Sequence, residues 1–144
     1  MRILHTSDWH LGRTFKNTGL VSEQERFIDQ VVSIVSTEDI DLLVVAGDVF
    51  DRSLPPAESV ALWHEALVRT VDSGARVVAI SGNHDQGERI EIPREIARDG
   101  IVVRGKRTAE PELFEFEDGP LLVVPIPFLD PFLARDLIGE DGVA

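Results

Sequence analysis

The chain of 144 residues contains no cysteine, which excludes a disulfide framework and a thiolate zinc site and fits a cytoplasmic protein. Positive charge is scarce: 14 Lys and Arg stand against 26 Asp and Glu, a formal net charge of −12. That balance argues against a general electrostatic grip on nucleic acid or on an anionic membrane. Any phosphate-bearing substrate must then be held locally, and bound divalent cations would do this by inverting the potential of their site. Long hydrophobic runs are also missing. The longest, Leu121 to Leu129, holds two prolines and is too short to span a bilayer. Strand-like sequence begins at Arg2-Ile3, so neither a signal peptide nor a membrane segment is expected. The length suits one domain with a core of its own.

What is present is one construction used three times. Ile3-Leu4-His5-Thr6 leads into Ser7-Asp8-Trp9-His10-Leu11-Gly12, Leu42 to Ala46 leads into Gly47-Asp48-Val49-Phe50-Asp51, and Val77 to Ile80 leads into Ser81-Gly82-Asn83-His84-Asp85. Each is a short apolar run, the pattern of a strand buried on both faces, followed by a turn rich in metal-type ligands. Open α/β sheets place ligands beyond the carboxyl ends of their strands, so Asp8, His10, Asp48, Asn83 and His84 are expected to converge. A hard carboxylate and a neutral imidazole two residues apart, as in Asp8 and His10, can reach the same cation.

Between these runs, Arg13 to Leu20 reads as a loop, in which Arg13 and Lys16 are candidate phosphate contacts. Ser22 and Glu25 form a capping-box signature, and Phe27, Ile28, Val31, Val32 and Val35 follow at helical spacing, predicting a helix over 22–38. Pro55-Pro56 opens a second helix with Val60, Trp63, Leu67 and Val71 on its buried face and Gly74 at its C-terminus. Trp63 is read as core, His64 as a surface or partner-facing residue, and His5 as a buried, satisfied histidine. Glu88 to Asp99 reads as a helix interrupted or restarted at Pro93, and Ile101 to Val103 as a strand. Three strand–helix–strand units in succession predict an α/β fold with a mostly parallel sheet. Leu113 to Glu117 alternates with period two, and Asp118-Gly119 separates it from Leu121 to Val124, predicting a β-hairpin and the start of a second sheet. Residues 136–144 read as an acidic, poorly ordered tail.

The three motifs, in this order and at this spacing, resemble those of the calcineurin-like metallophosphoesterases, and the first resembles in particular the SbcD-type DNA repair nucleases. The resemblance implies a sandwich of two mixed sheets flanked by helices, with residues 1–135 forming the N-terminal portion of a nuclease domain. It implies two divalent cations, Mn²⁺ by family habit or Mg²⁺, with Asp8 and His10 on one, Asp48 bridging both and Asn83 on the other. His84 would face the substrate and assist the leaving oxygen during in-line attack by hydroxide, and Asp51 matches the position that orients this histidine in related enzymes. Arg52 and Arg89 flank site turns and, with Arg13 and Lys16, are candidate DNA contacts. The implied partners are DNA, an SMC-like ATPase subunit of the SbcC type, and a second copy joined through helices of this domain.

One departure bears on activity. Family members carry a further Gly-His and a His-x-His motif, whereas the last of the four histidines here is His84. The residues therefore offer three ligands to one cation and two to the other, and an incomplete site is expected. A phosphatase or cyclic-nucleotide phosphodiesterase shares the same ligands, and a non-catalytic dimerisation module is the reading from outside the enzymes.

Overall fold

Four apolar runs pair into one parallel sheet because each is flanked by a segment long enough to cross back over it. The computed structural model describes residues 1–16, 18–92, 98–105 and 110–131. Strands β1 (Ile3–Thr6), β4 (Leu42–Ala46), β5 (Arg76–Ile80) and β6 (Ile101–Arg104) lie in that order, every pair parallel. Helix α1 (Val21–Thr37) joins the first two and α2 (Ala57–Asp72) the next two. The sheet grows in one direction, so right-handed crossovers put α1 and α2 on the same face.

That face holds the main core. Leu43, Val45, Val77 and Ala79 meet Ile28 and Val31 of α1 and Leu62, Trp63, Ala66 and Leu67 of α2. Trp63 is fully buried, donates its indole N–H to the Ile90 carbonyl at 3.0 Å and meets Trp9 edge-to-face at 5.6 Å. The opposite face is covered by a hairpin of β7 (Glu112–Phe116) and β8 (Gly119–Val123), whose Phe114 packs on Leu42 and Val78. Arg76 lies over the Phe116 ring at 4.8 Å. Among the described residues the second sheet is this antiparallel pair, and the main sheet is purely parallel.

Several local expectations need correction. The loop after the first site turn contains a short hairpin, β2 (Thr14–Phe15) with β3 (Thr18–Gly19). α1 begins one residue before Ser22, with Leu20 as its N-cap, and the Ser22 hydroxyl donates to Glu23 rather than closing a capping box with Glu25. His5 is exposed, not buried. It lies on edge strand β1, on the sheet face that the hairpin covers only over the central strands, and its neighbour Ile3 is likewise 47% exposed. The segment after the third turn forms the short helix α3 (Gly87–Ile90). The restart at Pro93 and the tail at 136–144 lie outside the described residues.

Candidate metal centre

The three ligand-bearing turns meet because the main chain zips them together beyond the strand ends. Asp8 N–H donates to the Gly47 carbonyl at 3.1 Å, His10 N–H to that of Asp48 at 3.0 Å, Leu11 N–H to that of Val49 at 2.9 Å, and Asp51 N–H returns to Leu11 at 3.1 Å. Leu11 and Phe50, both fully buried, plug the space beneath. The third turn is held by a side chain: the Asp85 carboxylate accepts from Val49 N–H at 3.1 Å, Phe50 N–H at 2.8 Å and Gly82 N–H at 2.9 Å. His84 N–H then donates to Asp48 Oδ1 at 3.0 Å, fixing that carboxylate.

Ligand atoms of Asp8, His10 and Asp48 lie within 4.8 Å of one another, and Asn83 lines the same recess of about 350 Å³ as Asp8 and Asp48. All three clustered residues have left-handed backbone, with φ of 58° at Asp8, 45° at His10 and 51° at Asp48. Non-glycine residues rarely adopt this region, and when they do the surrounding structure must enforce it, a pattern that gathers at functional sites. The close approach of the turns also dictates glycine. A Cβ on Gly82 would lie 2.1 Å from Asp48 Oδ1 and 2.3 Å from the Asp48 nitrogen.

The donor set suits a divalent cation. Two carboxylates and an imidazole face one another, and among the described residues no Lys or Arg pairs with Asp8 or Asp48. His10 Nδ1 is buried without a hydrogen-bond partner among the described residues, 3.7 Å from Asp51 Oδ1. A carboxylate behind the imidazole is the usual support for a ligating histidine. The rings of His10 and His84 stand edge-to-face at 5.0 Å.

The chain matches the calcineurin-like phosphoesterase family model over residues 1–134. It belongs to that family. Membership carries divalent-metal use with it, and Asp8, His10 and Asp48 are the group that could hold an ion. The chain is 42% identical over 127 residues to the D subunit of nuclease SbcCD from Bacillus subtilis, covering 86% of this chain and 32% of that protein. It is 36% identical over 141 residues to the corresponding SbcCD subunit of Escherichia coli, covering 96% and 34%, and 40% identical over 114 residues to that of Rhodobacter capsulatus, covering 77% and 28%. The chain thus spans about a third of the length of the curated relatives it matches.

The other singled-out residues fall as follows. His84 is exposed, and its Nδ1 lies 3.2 Å from the Asp51 carbonyl, so the contact between them runs through the main chain of Asp51 and not its carboxylate. Arg13 is exposed, with Nε 4.0 Å from Asp51 Oδ1, and lines a recess with Asp8 and His10. Lys16 has left-handed backbone and sits 5.4 Å from the Phe15 ring centre. Arg52 and Arg89 are exposed. His64 is half-buried rather than surface-facing: its Nε2 is buried without a partner among the described residues, and burial lowers its pKa. Sequence reasoning assigned no role to Asp85 or Gln24. Gln24 accepts from Gly12 N–H at 3.0 Å and donates to the His10 carbonyl at 2.9 Å. An aspartate three residues into a glycine-bearing turn signals side-chain capping of backbone N–H groups, and this would have pointed to Asp85. Among the described residues no helix is long and apolar enough to cross a membrane.

Proposed function

We propose that this chain supplies the N-terminal part of a two-cation phosphodiesterase site that hydrolyses DNA in double-strand-break repair. The observation that carries the proposal is the convergence of Asp8, His10 and Asp48 within 4.8 Å, with Asn83 on the same recess. Asp8, His10 and Asp48 would hold one ion, and Asp48 with Asn83 would contribute to the second, whose remaining ligands come from outside these residues. Oxygen-rich ligands with few imidazoles favour Mn²⁺ or Mg²⁺. Bound cations supply Lewis-acid polarisation of the phosphodiester and neutralise charge developing in in-line displacement.

The chain's own residues supply orientation and proton transfer. His84 N–H fixes Asp48 Oδ1, and the Asp51 carbonyl accepts from His84 Nδ1, which assigns the proton there. Nε2 is then the nitrogen available to exchange a proton with the leaving oxygen. Asp51 Oδ1 lies behind His10, where it orients the imidazole. Arg13, Lys16, Arg52 and Arg89 are exposed cations available to DNA phosphates in a chain of net charge −12.

The relatives are named as one subunit of a two-component nuclease, SbcCD, which supports an SMC-like ATPase of the SbcC type as partner in the cytoplasm. Homodimerisation through the helices would use outward residues such as Ile34, 43% exposed, since Trp63 is committed to the interior. A substrate panel with Mn²⁺ tests the reading. Cleavage of DNA in preference to phosphomonoesters and cyclic nucleotides is expected. The reverse preference would make the protein a phosphatase or cyclic-nucleotide phosphodiesterase.

A further inference from the structure

After β8 the chain runs Val124-Pro125-Ile126-Pro127-Phe128 toward the site, with the two prolines buried and the three residues between and around them facing outward. Proline fixes φ and removes an N–H, so this segment is stiff without belonging to a ladder. Its end is pinned, because Phe128 N–H donates to the Ser81 carbonyl at 2.9 Å, at the root of the third site turn. A rigid backbone therefore presents the Phe128 ring, which is 48% exposed.

The ring stands at the junction of two recesses that share Asn83. One, of about 350 Å³, is lined by Asp8, Asp48, Asn83, Ile126 and Phe128. The other, of about 420 Å³, runs past Asn83 and Phe128 to Gln86 and Asp130. Other exposed apolar residues of the hairpin, Leu113 and Leu122, line neither recess. Phe128 is thus the exposed aromatic side chain that borders the cavity of the candidate ligands. Among the described residues no other aromatic ring pairs with it.

A phosphodiester seated at Asp8, Asp48 and Asn83 brings one flanking nucleoside over this ring. Every base has a π-face, and stacking on an aromatic side chain is tolerant of sequence and needs no positive charge from the protein. In a chain of net charge −12, that is a source of affinity that phosphate contacts alone would not provide. We propose that Phe128 is the stacking platform for the nucleobase next to the scissile phosphate, and that it selects unpaired, single-stranded nucleotides for this site. The inference rests on the DNA-phosphodiesterase reading above.

The test uses the intact protein with Mn²⁺ and single-stranded oligonucleotides carrying either a normal nucleotide or an abasic tetrahydrofuran residue at each position around the cleaved bond. Phe128→Leu keeps an apolar side chain, and an unchanged unfolding midpoint confirms its fold. With normal substrate its KM should rise about tenfold at nearly constant kcat, and Phe128→Trp should restore it. With the abasic residue at one position next to the cleaved bond, wild type and Phe128→Leu should become equal. Equal losses on both substrates, or no loss on either, would overturn the platform while leaving the nuclease reading intact. Hydrolysis of simple phosphodiesters by the wild type without cleavage of any oligonucleotide would overturn the DNA reading, and the platform with it.

Discussion

The parallel sheet carries acidic residues at both of its ends, and only one end is built to take a cation. At the amino ends of the strands, Asp41 accepts from Arg2 N–H at 2.6 Å and lies 3.8 Å from the Met1 amine, which also pairs with Asp118. Those carboxylates are neutralised by the chain itself. At the carboxyl ends, Asp8 and Asp48 face His10 on left-handed backbone, and no Lys or Arg among the described residues pairs with them. Like charges held together without a counter-ion raise the energy of the folded state. The fold pays that cost only where the turns are clamped, and a divalent ion would recover it. The contrast shows why a count of acidic residues does not locate a metal centre, whereas the absence of internal partners does.

The largest expected effect comes from cutting the clamp. Asp85→Ala leaves the N–H groups of Val49, Phe50 and Gly82 without their acceptor, and Val49 and Phe50 are fully buried, so water cannot replace it. Urea unfolding should show a loss of about 3 kcal/mol, and Asp85→Asn should lose less because one acceptor oxygen remains. If Asp85→Ala were neutral, the two ends would not differ in how firmly they are held. A smaller effect is expected at the amino end. Asp41→Ala removes partly exposed pairs and should cost about 0.5–1 kcal/mol, with divalent-ion binding unchanged.

The smallest effect sharpens the comparison as a function of pH. Burial lowers the His64 pKa from its ordinary 6.5, so the unfolded chain takes up the proton more readily. Stability from this group is full above about pH 6.5 and declines as the pH falls through the unfolded value toward the folded one. His64→Gln should therefore flatten the acid limb of the urea midpoint between about pH 5 and 7. An unchanged limb would mean that carboxylate pairs account for all of it.

Much of this architecture was legible in the residues. Continuous apolar runs gave the parallel strands, helical spacing gave α1 and α2, and the alternation after Glu112 gave the hairpin. The site was legible because each run ends in a ligand-rich turn and strand topology brings such turns together. Other features depended on tertiary context. β2 and β3 have two residues each, too few for periodicity to register. The exposure of His5 follows from which strands the hairpin covers, which the sequence of β1 does not contain. Asp85 and Gln24 act through backbone groups of distant turns, so their partners become visible only once the turns are adjacent. The Asp51 contact with His84 through a carbonyl rather than a carboxylate is likewise a matter of local chain direction.

The most direct test of the contrast between the two ends is a calorimetric Mn²⁺ titration of the wild-type chain, Asp48→Ala and Asp41→Ala in parallel. Binding that is lost in Asp48→Ala and intact in Asp41→Ala is the result expected of a cation site at the carboxyl ends of the strands. Binding that survives Asp48→Ala, or that falls with Asp41→Ala instead, would contradict it and move the ion to the other end of the sheet.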